Sequence, residues 1–193
     1  MAANITTIVS LVSQIKAEAR VKGSDNLDNM ILDILNELLL EEVHNHHYSE
    51  MLVINSPITL VDAQKAYALP TDFTDIRLVR YIRESGYTIT LDPRSEYTEE
   101  RISGNPKYYD ISGGVILIFP FANVLAADAL SLDYWKVPDQ LALDTTPFPI
   151  IKLVGPIKQK AIARVHVYNK DMASAQMFSG MGAEDTERAH KGE

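Results

Sequence analysis

The stretch from Lys107 to Pro120, Lys-Tyr-Tyr-Asp-Ile-Ser-Gly-Gly-Val-Ile-Leu-Ile-Phe-Pro, decides the fold. Tyr108 to Ser112 and Val115 to Phe119 are rich in β-branched and aromatic side chains, which suit a pleated, packed surface. Between them, Gly113 and Gly114 supply the two positive-φ positions that a tight primed turn demands. The stretch therefore reads as a β-hairpin. Its second arm, Val115 to Phe119, carries no polar residue on either face and is expected to be covered on both sides.

Working outward, the neighbouring segments read as further β-structure. Ile76 to Arg83 and Tyr87 to Leu91 flank Glu84-Ser85-Gly86, and the alternation of Tyr87, Ile89 and Leu91 with Thr88 and Thr90 predicts a second hairpin with one wet face. Short segments at Met51 to Ile54 and Pro57 to Leu60 precede it, followed by Tyr67-Ala-Leu-Pro-Thr-Asp-Phe73. Arg94 to Ile102 is charged and predicts a short helix starting near Ser95. Leu130, Leu132 and Tyr134 alternate with Ser131 and Asp133 in a last strand that stops at Pro138. A mainly antiparallel sheet over 51–137 is the result.

Helical periodicity lies on both sides of this insertion. Ile5, Ile8, Leu11, Val12, Ile15 and Ala19 mark one face of a first helix over 5–21. Leu27, Met30, Ile31, Ile34, Leu35, Leu38 and Leu39 mark a second over 26–47. Ile150, Val154, Ile157, Ala161, Val165, Tyr168 and Met172 predict one long C-terminal helix over 148–178, with a kink or break after Gly155 because Pro156 lacks an N–H. The stripe stops at Phe178. Residues 179–193 are glycine-loosened and polar, so they are expected to form a flexible C-terminal arm. The fold class is α+β: a helical bundle packed with a small antiparallel sheet, one domain over 1–178.

Composition narrows the chemistry. A chain of 193 residues without cysteine can bury a core but has no disulfide, no thiolate-held metal and no thiol nucleophile. The N-terminus lacks a charged segment followed by an apolar one, which predicts a product that is cytosolic where it is made. Apolar runs fall far short of the roughly 20 residues that span a bilayer, so no membrane association is expected. A net charge of −8 opposes a continuous phosphate-gripping surface. No nucleophile elbow, Walker motif or dinucleotide fingerprint occurs, and the expectation is a non-enzyme without cofactors. Asp72 and Asp75 are ordinary loop acids. His44, His46 and His47 crowd the end of the second helix, but a zinc site needs further ligands, and His166 and His190 stand apart in sequence. The reading is accordingly no metal site, with fold and assembly indifferent to chelators.

The succession of segments resembles the head-to-tail connector, or adaptor, proteins of tailed bacteriophages, the family that includes tail tubular protein A and tail accessory factors. The resemblance is carried by Leu69-Pro-Thr-Asp-Phe73, the basic-aliphatic strand Arg77-Leu-Val-Arg-Tyr-Ile82, and the block from Pro106 to Pro120. Leu132-Asp-Tyr-Trp-Lys-Val-Pro138, Leu141 to Asp144 and a long C-terminal helix complete the order, which covers roughly residues 5–178. It implies a structural virion protein at the head-to-tail junction, a homo-oligomeric and dodecameric ring. That ring would bind the portal above and a tail or nozzle protein below, and would extend a channel through which genomic DNA passes without tight binding. The resemblance further implies a portal-docking arm, here Met181, Glu184, Asp185, Glu187 and Arg188, disordered when free. Glu37, Glu41, Glu42, Glu96, Glu99 and Glu100 are the candidates for an acidic channel wall. A monomeric small-molecule-binding or enzymatic α+β domain and a nucleic-acid binder are the competing classes.

The turn gives the first test. Gly113→Val and Gly114→Val should each destabilise the hairpin by about 1 to 3 kcal/mol, read as a lowered melting temperature. Unchanged melting in both variants would remove the hairpin.

Overall fold

The computed structural model describes residues 6–21, 25–95, 104–121, 124–169 and 172–191. The chain divides into two compact units, Met1–Glu50 with Pro138–Glu193, and Met51–Val137. The described residues form an α+β structure of four α-helices and a seven-stranded sheet.

The sheet occupies the Met51–Val137 unit. Its strands are β1 (Leu52–Thr59), β2 (Ala66–Ala68), β3 (Phe73–Ile82), β4 (Thr88–Pro93), β5 (Tyr108–Ser112), β6 (Val115–Phe119) and β7 (Ala129–Lys136). They lie in the order β1-β7-β3-β4-β5-β6-β2. Pairing is antiparallel throughout, except for a short parallel seam between β4 and β5. The deciding hairpin forms as read: Ser112 faces Val115 across the turn, and Gly113 and Gly114 have φ of 59° and 79°. β6 has no exposed residue on either face, as read, but its cover is uneven. Ile116 and Ile118 are fully buried, whereas Val115 and Leu117 on the opposite face are only half-buried. At the end of the strand, the Phe119 ring lies between two cations, with Lys65 Nζ 4.5 Å and the Arg94 guanidinium 4.3 Å from its centroid.

Inward residues of six of the strands, among them Tyr67, Val79, Leu91, Tyr109, Ile116 and Leu132, gather into one cluster, which requires the sheet to curl on itself. β7 shows why the interior needs polar partners as well. Its alternating sequence promises a wet face, yet Leu130, Ser131, Leu132, Asp133 and Tyr134 are all buried, with β1 and β3 on either side of it. Asp133 is satisfied from both neighbours, accepting the Asn55 N–H at 2.9 Å and the Arg80 guanidinium. Asn55 has φ of 59° at a bulge in β1, so the two short segments read from sequence are one strand with an irregularity between them. The Leu69-to-Phe73 motif fastens the next residues of β7. Asp72 accepts the Tyr134 hydroxyl at 2.9 Å, its carbonyl accepts the Val137 N–H at 2.7 Å, and the Phe73 ring packs on Tyr134.

Asp128 ties the β3-β4 turn to the loop before β7. It accepts the Tyr81 hydroxyl, the Glu84 N–H at 3.1 Å and the Leu125 N–H at 3.3 Å. Burial opposes its ionisation, but these hydrogen bonds together with the nearby Arg83 outweigh it and hold the carboxyl below its ordinary pKa. Burial and the same carboxylate push the Tyr81 phenol up to about 12.

The other unit contains α1 (Ile8–Glu18), α2 (Asp25–Asn45), α3 (Val154–Tyr168) and α4 (Met172–Lys191). Thr7 caps α1 by accepting the Ser10 N–H, and Ile8, Leu11 and Ile15 point inward from it. α2 buries Ile31, Leu35, Leu38, Leu39 and Val43 along one stripe. Two expectations for the C-terminal part are corrected. The helix read over 148–178 is a 3-10 turn at Ile151–Leu153 followed by two separate α-helices, α3 and α4. Pro156 breaks neither of them, because it sits in the first turn of α3, where an N–H has no partner to lose.

The arm read over 179–193 is helical as far as Lys191. The hydrophobic pattern hides this because the inward stripe of α4 is made of small or polar residues: Ala175, Gly182 and Thr186 are buried, and half-buried Phe178 stacks on His166 at 5.5 Å. Contacts of Phe178 with His166 and of Gly182 with Lys160 run in opposite chain senses, so α3 and α4 form an antiparallel pair. Thr186 donates to the Gly182 carbonyl at 2.8 Å, and the Glu187–Lys191 pair at 2.6 Å supports the last turn.

The two glycines of α4 separate the alternatives. A Cβ at Gly182 would lie 2.7 Å from Lys160 Cγ and 3.1 Å from its backbone nitrogen, whereas one at Gly180 would meet nothing within 4 Å. Gly182→Ala should cost about 1 to 3 kcal/mol by prising α4 from α3. Gly180→Ala should stabilise by up to about 1 kcal/mol through helix propensity. Denaturant unfolding of both variants measures the split, and equal effects would return this segment to a loose arm.

Candidate functional site

The charged surface of the helical unit is organised by α3. Lys160 and Arg164, one turn apart, both reach acids on α2. Arg164 forks across Glu37 at 2.8 Å and Glu41 at 3.0 Å, with these carboxylates 69 % and 59 % exposed. Solvent screens such pairs strongly. Lys160 differs because its partner Glu42 has a side chain only 7 % exposed, and it holds Glu42 Oε1. On α1, Glu18 takes Lys158 at 2.9 Å, so α3 bears basic side chains toward two acidic neighbours.

Beyond Glu42 lies a cluster at the ends of α2 and α4. Glu42 Oε2 is 3.8 Å from His190 Nε2, and that nitrogen is 2.6 Å from the Tyr48 hydroxyl. The His46 ring lies against the His190 ring with centroids 3.6 Å apart, and Lys152 Nζ stands 5.1 Å over the Tyr48 ring. Burial, then the Glu42 carboxylate, push the Tyr48 phenol well above its ordinary pKa. Burial, then His46, lower that of His190, with Lys152 and Lys160 adding to this and Glu42 opposing it. At neutral pH the contact is therefore a phenol donating to a neutral imidazole.

The outer face of α4 exposes Met177 and Met181 one turn apart, then Glu184, Glu187 and Arg188. A groove between α2, α3 and α4 is floored by Leu38, Ala163, Val167 and Ala175, with Glu41 and Arg164 among its polar walls. This combination of exposed methionines, a partly apolar groove and paired surface charges is suited to protein contact.

The sequence profile of the family described as SU10 adaptor protein matches residues 6–192, nearly the whole chain and both compact units. The chain belongs to that family. It is a phage head-tail adaptor family, the class to which the sequence resemblance pointed. No curated protein matches the chain significantly.

In this adaptor, the residues singled out from sequence fall into distinct places. Gly113 and Gly114 form the hairpin turn. Met181, Glu184, Asp185, Glu187 and Arg188 lie on α4, an ordered helix and not a free arm. Glu37 and Glu41 are exposed on α2, while Glu42 is 5 % exposed, which corrects its place among the channel-wall candidates: it is on the inner stripe and neutralised by Lys160. Glu96, Glu99 and Glu100 lie outside the described residues, as does the short helix expected from Ser95. Asp72 and Asp75 serve the fold, Asp75 by accepting the Ile76 N–H. Among the described residues no helix is long and apolar enough to cross a membrane. Sequence reading missed Lys160, Arg164 and Tyr48, and it set His190 apart from His46. A basic pair at helical spacing was the available signal for the first two, but its acidic partners lie more than 100 positions away in the chain.

Lys160→Met retains the Cβ and Cγ that pack on Gly182 but leaves the Glu42 carboxylate buried beside no cation, and should cost about 3 kcal/mol. Arg164→Met should cost less than about 1 kcal/mol. Urea unfolding of the two variants side by side checks the contrast.

Proposed function

We propose that this adaptor assembles as a ring, dodecameric in number, that seats beneath the portal of a tailed phage, receives the tail or nozzle protein below it, and extends the channel for genomic DNA. The observation that carries the reading is the family match across residues 6–192. Its role is structural, without a catalytic step or cofactor, and its place is the head-to-tail junction of the virion after synthesis in the host cytoplasm. Exposed apolar side chains in the helical unit support subunit or partner contact: Ile151, Tyr168 and Met177 are 65 %, 70 % and 58 % exposed. A net charge of −8 and the exposed carboxylates of Glu37 and Glu41 fit a channel wall that DNA slides past, because like charge denies the phosphates a foothold.

The portal-facing element in this reading is the outer face of α4, with Met181, Glu184, Asp185, Glu187 and Arg188 as its contacts. Met181 is 43 % exposed, and the side chains of Glu184 and Arg188 are 75 % and 66 % exposed, so all three can reach a partner without unfolding the helix. Docking then proceeds by a preformed face and avoids the ordering cost that a disordered arm would incur.

Solution mass of the purified chain, alone and mixed with isolated portal rings, tests the assembly. A ring-sized species or a stoichiometric portal complex is expected, and a chain that stays monomeric with portal present would favour the small-molecule-binding class. The double change Met181→Asp with Arg188→Glu should leave melting nearly unchanged and weaken portal attachment at least tenfold, about 1.4 kcal/mol. Wild-type attachment by this variant would move the docking face elsewhere.

A further inference from the structure

The sequence leaves the histidines at the end of α2 short of ligands, and the fold supplies one. Glu42 and His46 stand one helical turn apart, with the His46 N–H on the Glu42 carbonyl at 3.0 Å, so both side chains project from the same face. The last turn of α4 brings His190 against them. Each of the three residues offers one ligand atom, and these atoms all lie within 4.8 Å of one another. Ligands around a tetrahedral ion at bond lengths of about 2.0 to 2.2 Å sit roughly 3.3 to 3.5 Å apart. Small side-chain rotations therefore close the set.

We propose that Glu42, His46 and His190 form a binding site for a divalent transition metal ion, of which zinc fits best, and that the ion pins the C-terminal end of α4 to the C-terminal end of α2. The donor set selects the ion. Two imidazoles and one carboxylate suit zinc and its neighbours, whereas magnesium and calcium ask for oxygen ligands throughout. Lys160 occupies Glu42 Oε1 and orients the carboxylate, leaving Oε2 toward His190, the supporting contact that a metal-bound carboxylate ordinarily has. Tyr48, now 2.6 Å from His190 Nε2, gives up that hydrogen bond when the nitrogen takes the ion, and its hydroxyl then stands beside the fourth position, where water completes the shell. Lys152 and Lys160 lie close enough to weaken the hold on a cation, so this is a looser site than a closed structural one. The site replaces the expectation, drawn from ligand counting alone, that the histidines bind nothing, and it does not depend on the ring or on the portal.

The test uses the full-length chain stripped with a chelator and titrated with zinc sulfate by calorimetry, with melting followed in parallel. One zinc per chain and a raised melting temperature are expected, with no response to magnesium. His190→Ala and His46→Ala should each weaken zinc at least about tenfold, as loss of a ligand must exceed the cost of losing its supporting contact. His190→Gln, which preserves a hydrogen-bonding partner for Tyr48, provides a second variant in case the alanine change loosens α4. His44→Ala and His47→Ala should bind zinc as the parent does. Substoichiometric zinc, zinc binding indifferent to both His190 variants, or equal losses from His44→Ala and His47→Ala would each overturn the site, the last by reducing it to a histidine-rich helix end.

Discussion

The closeness of α3 and α4 depends on one missing side chain. A Cβ at Gly182 would lie 2.7 Å from Lys160 Cγ, closer than such atoms come, and 3.3 Å from the Pro156 carbonyl oxygen, a tight contact. Everything placed by α4 follows from that approach. With the helices in contact, Thr186 turns inward, Phe178 reaches His166, and the last turn carries His190 to the end of α2. Pro156 contributes to the same crossing from the other helix: in the first turn of α3 it costs no hydrogen bond. A glycine and a proline that look like punctuation in the sequence thus act as packing residues.

The two units solve the problem of buried charge differently. In the sheet, Asp128 and Asp133 each accept two or more hydrogen bonds from neighbouring strands and turns. In the helical unit, Glu42 has one cation on one oxygen and leaves the other facing two imidazoles and a phenol. The first arrangement ties its carboxylates to the strands and turns around them and reads as structure. The second sets a carboxylate oxygen and two imidazole nitrogens within 4.8 Å of one another, close enough to share one ligand.

Much of this was legible in the residues. The hairpin at Gly113 and Gly114, the one-sided β4 and the stripes of α1 and α2 follow from local rules, because each element carries its own period and its own turn chemistry. The adaptor family was legible from the order of moderately specific blocks, and in the structure two of those blocks meet: Asp72 and Phe73 contact Tyr134 across the sheet. What escaped is everything whose meaning comes from a distant partner. α4 was hidden because Ala175, Gly182 and Thr186 form a stripe by size and not by hydropathy. Glu42 looked like its neighbours Glu37 and Glu41, and only the register of α3 separates a buried carboxylate from two wet ones. His190 was isolated in sequence for the same reason.

The parallel seam between β4 and β5 remains. It joins only Asp92 to Tyr108 and Pro93 to Tyr109, while every other strand neighbour is antiparallel. Four strands lie on one side of it and three on the other, each group stitched by its own ladders. Across the join, continuity is carried by the shared interior, in which Leu91 and Tyr109 belong to a single cluster. Hydrogen-bond ladders fix direction, whereas apolar packing is indifferent to it. The two groups of strands are therefore joined by a short backbone seam, with Asp92 N–H on the Lys107 carbonyl and Arg94 N–H on the Tyr109 carbonyl, and by the apolar interior they share.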